Sequence, residues 1–258
     1  MVDLDFGSEL FKMVEGNSDV DSEIGVILPT YSENANIKKL IREIENLGLN
    51  ISILVIDDSS PDGTANTVRE LQRKHDNILL FVRPKKSGLG TAITDGFKIF
   101  LSLKKPPNCI VTMDADFSHD PKDLVRLVSQ LRGGCDLVIG CRYCYGGNTV
   151  NWSALRLAIS RIANFIASLT IRAKVSDYTS GLRCYSITLV RSIIRDLHSE
   201  TYEIQIETIR QANIRGFKMT EIPITFIGRK KGKSKLTLNE VMQFLSYIIK
   251  LMSSKRFK

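Results

Sequence analysis

The chain has 258 residues, 43% of them hydrophobic and 25% charged, an ordinary globular composition that excludes wholesale disorder. Its net charge of +8 is unevenly placed: residues 1–141 carry 16 basic and 21 acidic side chains, residues 142–258 carry 20 and 7. The acidic half suits a cation site and the basic half suits anionic partners.

Residues 1–22 read as a poorly ordered acidic leader without the apolar core of a signal peptide. Residues 24–28 form an apolar strand closed by Pro29, and a helix with period 3.6 follows over 36–47. A fully apolar strand at 51–56 leads through a Ser-Pro-Asp-Gly turn, with Thr64 as N-cap, to a helix near 65–74. Strands at 78–82, 109–113 and 137–139 alternate with helices at 90–103 and 121–131, the latter carrying Pro in its first turn. Beyond residue 142 come a long helix at 154–171, a strand near 182–186, two helices and an alternating strand at 218–226. Alternating strands and helices imply an α/β fold, a mostly parallel sheet with helices on both faces, and a basic second half wrapping the sheet's carboxyl edge. No run of 18 or more apolar residues occurs, so no bilayer-spanning segment is expected. Residues 236–258 read as an amphipathic helix: Leu236, Val241, Phe244, Leu245, Ile248, Leu251 and Met252 near one side, with Lys250, Lys255, Arg256 and Lys258 at its end. The cysteines at 109, 135, 141, 144 and 184 make no zinc pattern, because Cys141-x-x-Cys144 lacks a second pair, so reduced structural thiols are expected.

Chemistry concentrates at two acidic strand ends. Asp114-Ala115-Asp116 follows the strand at 109–113, and Asp57-Asp58 closes the strand at 51–56. In an open α/β sheet ligands bind outside the carboxyl ends of strands, so the two acidic ends can converge on one crevice. Oxygen ligands of this kind suit Mg²⁺ or Mn²⁺ held together with a substrate's phosphates; Asp116 is the first candidate ligand, with Asp114 and Ser118 in support. Tyr31 and Glu33 offer an aromatic face and a carboxylate to a nucleobase, a segment that reads equally as a turn and helix N-cap, and Asp58 offers an acceptor for ribose or base. The Ser87-Gly88-Leu89-Gly90 turn would let backbone approach a ligand at a helix N-terminus. Arg156 and Ser160, four apart, share a helix face on which a phosphate can sit. The apolar residues of that helix (Leu155, Ile159, Ile162, Phe165, Ile166, Leu169) read equally as core packing or as a groove for hydrocarbon. His119 reads as structural. The lysines at 230, 231, 233 and 235, flanked by Gly228 and Gly232, read as a solvated loop or a lid.

In order and at sensible spacing, VILPTYSENANI (26–37), VIDDSSPDGT (55–64), GLGTA (88–92), MDADFSHDP (113–121), GCRY (140–143), SDYTSGLRCY (176–185) and GRKKGKSKL (228–236) resemble the polyprenol-phosphate sugar synthases. More narrowly the chain resembles dolichol-phosphate mannose synthases, inverting glycosyltransferases of the GT-A fold. The resemblance implies transfer of mannose from GDP-mannose to dolichyl or polyprenyl phosphate, with UDP-glucose as the alternative donor. It implies a glycosyltransferase domain over 23–235, with a nucleotide-sugar half at 23–141 and an acceptor half at 142–235. Pro29, Tyr31, Glu33, Ile56 and Asp58 would hold the guanosine; Asp114, Ala115 and Asp116 would lie beside the diphosphate, with Asp116 and Ser118 on the metal. Arg142, Arg156 and Ser160 fall where the family binds the lipid phosphate, Arg229 and Lys235 where it closes over the donor, and Gln205 and Glu207 at the floor of the sugar pocket. Such an enzyme is expected peripherally on the cytoplasmic face of a membrane, the endoplasmic reticulum in a eukaryote or the plasma membrane in a prokaryote. Small membrane-embedded partner subunits would help to hold it there. A phosphoacceptor receiver domain would leave the basic second half unexplained, and a nucleic-acid binder would need stacking aromatics that a 7% share does not cluster.

Overall fold

A computed structural model describes residues 8–228 and Tyr247. Among them, β1 (Ile24–Thr30), β2 (Ile51–Asp57), β3 (Ile78–Val82), β4 (Cys109–Thr112), β5 (Leu137–Cys141), β7 (Arg183–Ser186) and β8 (Met219–Pro223) form one sheet in the order β3-β2-β1-β4-β7-β5-β8. All pairings are parallel except those of β7, which runs antiparallel to β4 and β5. Six of the seven strands are largely buried and need cover on both faces, and their alternating side chains divide accordingly. Ile24, Val26, Leu28, Ile53 and Val55 point toward α2 (Asn34–Glu45), α3 (Thr64–Gln72) and α5 (Asp123–Arg132). Ile27, Leu54 and Ile56 point to the other face, which α4 (Leu89–Ser102), α7 (Ile187–Ile193) and α8 (Ile204–Ile214) cover.

Three expectations change. The alternating stretch at 218–226 is not one strand: β8 ends at Pro223, and β9 (Thr225–Ile227) pairs in parallel with the short β6 (Asn148–Val150) as a second sheet. Proline lacks an N–H with which to continue a ladder, and the chain turns there, Ile224 donating to the Cys141 carbonyl at 2.9 Å. The acidic leader is placed from residue 8 onward. Leu10 and Phe11 of α1 (Ser8–Phe11) and the following Val14 pack on the α4 side of the core, Glu15 and Leu80 exchange backbone hydrogen bonds, and the Glu15 carboxylate pairs with Arg69 at 2.7 Å. The leader's apolar side chains thus find a partner surface that its acidic composition did not announce. Finally, α6 (Ala154–Ile171) is long and apolar enough to cross a membrane by length and composition, with mean hydropathy 1.4, although Arg156 and Arg161 interrupt its apolar run. The predicted helix at 236–258 lies outside the described residues save Tyr247, which packs against the α4-side core.

Candidate active site

The carboxyl ends of β1, β2 and β4 lie side by side, so their following loops share one edge. Each loop holds a non-glycine residue in the left-handed region: Ser32 (φ 60°), Ser59 (φ 53°) and Phe117 (φ 59°). That conformation is uncommon outside glycine, and three adjacent instances mark backbone shaped for something other than stability.

The two aspartates ending β2 divide the work. Asp57 is fully buried and organises the loop, accepting from Thr30 Oγ1 at 2.8 Å, Ser60 N at 2.8 Å and Ser60 Oγ at 2.5 Å. Asp58 pairs with the buried Arg83, whose Nε donates at 2.5 Å while its other nitrogens hold Thr91 Oγ1 and the Gly88 carbonyl. Arg83 therefore aims Asp58, a role the sequence reading missed. Glu33 accepts from Asn36 Nδ2 at 2.9 Å, and its own N–H donates to Thr64 Oγ1. Lys86 lies 4.1 Å from the Tyr31 ring centroid, bringing a cation onto the aromatic face. The Ile56 side chain packs into the α4-side core, so only its backbone can meet a ligand there. The glycine turn before α4 does not open to a ligand as expected. Gly90 N donates to the Glu200 carbonyl at 2.9 Å, and a Cβ at Gly90 would sit 2.2 Å from the Ser199 carbonyl oxygen.

After β4, Asp116 Oδ1 accepts from Ser118 N at 3.0 Å and Ser118 Oγ at 2.5 Å, which fixes both groups in one tight turn. Asp114 lies against Gly181, where an added Cβ would meet its carboxylate at 3.4 Å. Ala115 is buried beneath them. The set of carboxylate and hydroxyl oxygens, without sulfur, fits a hard divalent cation. Among the described residues no group of three or more acidic, histidine or cysteine side chains forms a cage, so such an ion would share its shell with substrate. His119 is fully buried, and burial, aided by the nearby Arg142 charge, pushes its pKa down to about 4 against the pull of Asp116. Its ring is edge-on to Phe226 with centroids 5.1 Å apart, and its Nδ1 lies 3.9 Å from Asp114 Oδ2.

The basic half meets this loop through an aromatic cluster. Phe226 of β9 also contacts Trp152 at 5.3 Å, and the Arg142 guanidinium lies 5.6 Å from its ring; Ile227 N donates to the Ser118 carbonyl. Arg142, just past β5, is buried and held by Asp177: Nε to Oδ2 at 2.7 Å, Nη2 to Oδ1 at 2.7 Å, and its own backbone N–H to Oδ2 at 3.0 Å. Asp177 too escaped the sequence reading, although it is one of only seven acidic residues in the basic half. Arg156 lies over the Trp152 ring at 4.2 Å, while Ser160 Oγ accepts from Tyr143 Oη at 2.7 Å. Glu207 is spoken for by the backbone N–H groups of His198 and Ser199 at 3.0 and 2.9 Å. The buried Gln205 amide has no hydrogen-bond partner among the described residues. Arg229 and Lys235 lie outside the described residues.

The model of glycosyl transferase family 2 matches residues 25–194. The chain belongs to glycosyltransferase family 2. This family 2 enzyme is 36% identical over 220 residues to polyprenol monophosphomannose synthase of Mycolicibacterium smegmatis, covering 84% of this chain and 82% of that protein. It is 32% identical to dolichol-phosphate mannosyltransferase of Pyrococcus furiosus, over 89% of this chain and 64% of the relative's length. Its fold is that of the GT-A glycosyltransferases. Glucosyl-3-phosphoglycerate synthase of Mycobacterium tuberculosis, solved with Mn²⁺ and UDP, superposes with a TM-score of 0.63 at 18% identity, covering 91% of this chain and 80% of the other. A mannosyltransferase of Pyrobaculum calidifontis solved with GDP-Man and Mn²⁺ gives 0.56 at 15% identity, covering 92% and 66%.

Proposed function

We propose that this family 2 glycosyltransferase moves mannose from GDP-mannose to a polyprenyl or dolichyl phosphate, inverting the anomeric centre. The carrying observation is the junction at Phe226, where the Asp114–Asp116 loop and the arginine-bearing acceptor half touch through one aromatic cluster. An acid-lined diphosphate site beside a cationic site is what transfer between two anionic substrates requires. The named relatives support mannose as the sugar and a polyprenyl phosphate as the acceptor.

In this reading Tyr31, Glu33 and Asp58 bind the guanosine, with Pro29 and the Ile56 backbone lining its cleft. Asp116, Ser118 and Asp114 hold a divalent cation, Mg²⁺ or Mn²⁺, which when bound would offset charge on the departing GDP. A phosphate monoester is already anionic at neutral pH, so the acceptor needs no general base. Arg142, fixed by Asp177, keeps the nucleophilic oxygen in line, and that positioning is the chain's main catalytic contribution. Arg156, Ser160, Arg229, Lys235, Gln205 and Glu207 complete the acceptor and donor sites as the family resemblance implies. The enzyme works at a cytoplasmic membrane surface: α6 turns Leu155, Ile162, Phe165 and Leu169 outward, 58–72% exposed, so that stripe is not core. Small membrane-embedded subunits are the other means of holding it there.

Incubation with radiolabelled GDP-mannose, Mg²⁺ or Mn²⁺ and a polyprenyl phosphate tests this. The expected result is metal-dependent label in the organic phase; label only from UDP-glucose would replace the donor, and none from either would end the proposal.

A further inference from the structure

The segment that leaves β5 carries two thiols, Cys141 and Cys144, with Arg142 and Tyr143 between them. Cys141 is the last residue of β5 and fully buried, and its carbonyl accepts from Ile224 N at 2.9 Å, so the strand end is fixed. Cys144 is half-buried, next to the fully exposed Tyr145. All five cysteines are free thiols.

The chain folds back so that the two sulfur groups meet. Cys141 Sγ accepts from Cys144 N at 2.9 Å and from Tyr143 N at 3.4 Å. The Cys144 thiol lies 3.7 Å from the Cys141 carbonyl and within hydrogen-bonding reach of the Cys141 sulfur. Closing a ring between them needs rotation of the Cys144 side chain, not a rearrangement of the strand. The two thiols are chemically unequal. Burial, aided by the Cys144 thiol, pushes the Cys141 thiol well above its usual range, so it keeps its proton. Cys144, the more open of the two, is the sulfur that a reagent from solvent reaches first. The other close pair, Cys109 and Cys184, is buried on the α5 side of the sheet, out of such a reagent's reach.

We propose that Cys141 and Cys144 are a site of oxidative modification, a thiol–disulfide switch beside the acceptor-side arginine that a small-molecule disulfide closes. The Cys144 thiolate attacks one sulfur of the reagent, forming a mixed disulfide and expelling a thiolate that takes up the proton Cys144 lost. Cys141 Sγ then attacks Cys144 Sγ, the mixed bond breaks, and the second reagent thiol leaves with the Cys141 proton. Two protein thiols are oxidised to one disulfide, and the reagent is reduced to two thiols. The N–H groups of Tyr143 and Cys144 stabilise the charge on Cys141 Sγ as its proton departs. The ring encloses Arg142 and Tyr143, whose side chains make the Asp177 pair and the 2.7 Å bond to Ser160 Oγ, so closure displaces the acceptor side. That consequence rests on the lipid-phosphate reading above; the disulfide itself does not.

The full chain is treated with oxidised glutathione or with dithiothreitol, and both samples are assayed for farnesyl phosphate binding and for transfer from GDP-mannose. Trypsin cuts after Arg142, so under non-reducing conditions the disulfide joins peptide 133–142 to peptide 143–156. Cys135 shares the first peptide, and Cys135→Ser removes that ambiguity. The expected result is the linked pair, with transfer to farnesyl phosphate down roughly tenfold or more, since a misplacement of about 1 Å is enough for such a loss. GDP-mannose affinity should hold, and dithiothreitol should restore the rate. Cys144→Ser should keep the reduced-state rate and lose the response to oxidised glutathione. Absence of the linked peptides, a glutathione adduct that persists on Cys144 without ring closure, or a Cys144→Ser enzyme inhibited as strongly as wild type overturns the proposal. So does a complete disulfide that leaves both transfer and farnesyl phosphate binding unchanged. If the disulfide forms and weakens farnesyl phosphate binding while the reduced enzyme moves no mannose, the switch stands and the transfer reading falls.

Discussion

Asp177→Ala offers the most searching test of how this site is held. The Asp177 side chain is fully buried and accepts from Arg142 N, Nε and Nη2 and from Thr179 N at 2.7–3.2 Å. Removing it strands the buried Arg142 charge in a shell of Tyr143, Trp152 and Phe226 rings. Breaking a buried pair on one side costs about 3–5 kcal/mol, because the surviving charge keeps its desolvation penalty. For a chain of this size that lowers the melting temperature by roughly 6–20 °C. Replacing both partners should be milder, so Arg142→Met with Asp177→Leu is expected to be more stable than Asp177→Leu alone. The pH dependence has a definite sign. Burial opposes ionisation of Asp177, but the charge and hydrogen bonds of Arg142 outweigh it and hold the carboxyl below its usual range. A depressed folded-state pKa gives stability that is complete above about pH 4 and lost as pH falls through the folded value. Urea midpoints of wild type and Asp177→Ala, measured at pH 7 and at decreasing pH, should therefore converge in acid. A loss under about 1 kcal/mol at pH 7, or a double variant no better than the single, would refute the account of Arg142 as a charge dependent on Asp177.

Three further outcomes follow from the same geometry. Asp116→Ala should cut transfer by ~10²–10³ or more while costing only about 1–3 kcal/mol of stability, for the two Ser118 hydrogen bonds it accepts; near-normal turnover at saturating metal would remove Asp116 from the site. Gly90→Ala should destabilise by about 1–3 kcal/mol, because the new Cβ meets the Ser199 carbonyl at 2.2 Å and the 199–200 segment must move; an unchanged urea midpoint would contradict that packing. In flotation with anionic liposomes, serine at Leu155, Ile162 and Leu169 and truncation after Lys235 should each reduce the floating fraction; equal flotation of all forms would show that neither segment is an anchor.

The strands at 24–30, 51–57, 78–82 and 109–112 were legible because each is a continuous apolar run stopped by proline, aspartate or a turn, and such runs are local. The acid-bearing strand ends were legible for the same reason, since a parallel sheet forces those ends to one edge. Local pattern could not show that β7 enters antiparallel between β4 and β5, which depends on how the chain returns after α6. It could not divide Asp57 from Asp58, because neighbours in sequence point to opposite sides of a strand end and only packing decides which meets Arg83. The Ser87–Gly90 turn looked open to a ligand, yet the segment at 199–200, over a hundred residues away, fills the space its glycines leave. Burial of α6 was equally hidden. A leucine, isoleucine and phenylalanine stripe has the same periodicity whether it faces a core or solvent, and what covers a helix is a property of the whole fold.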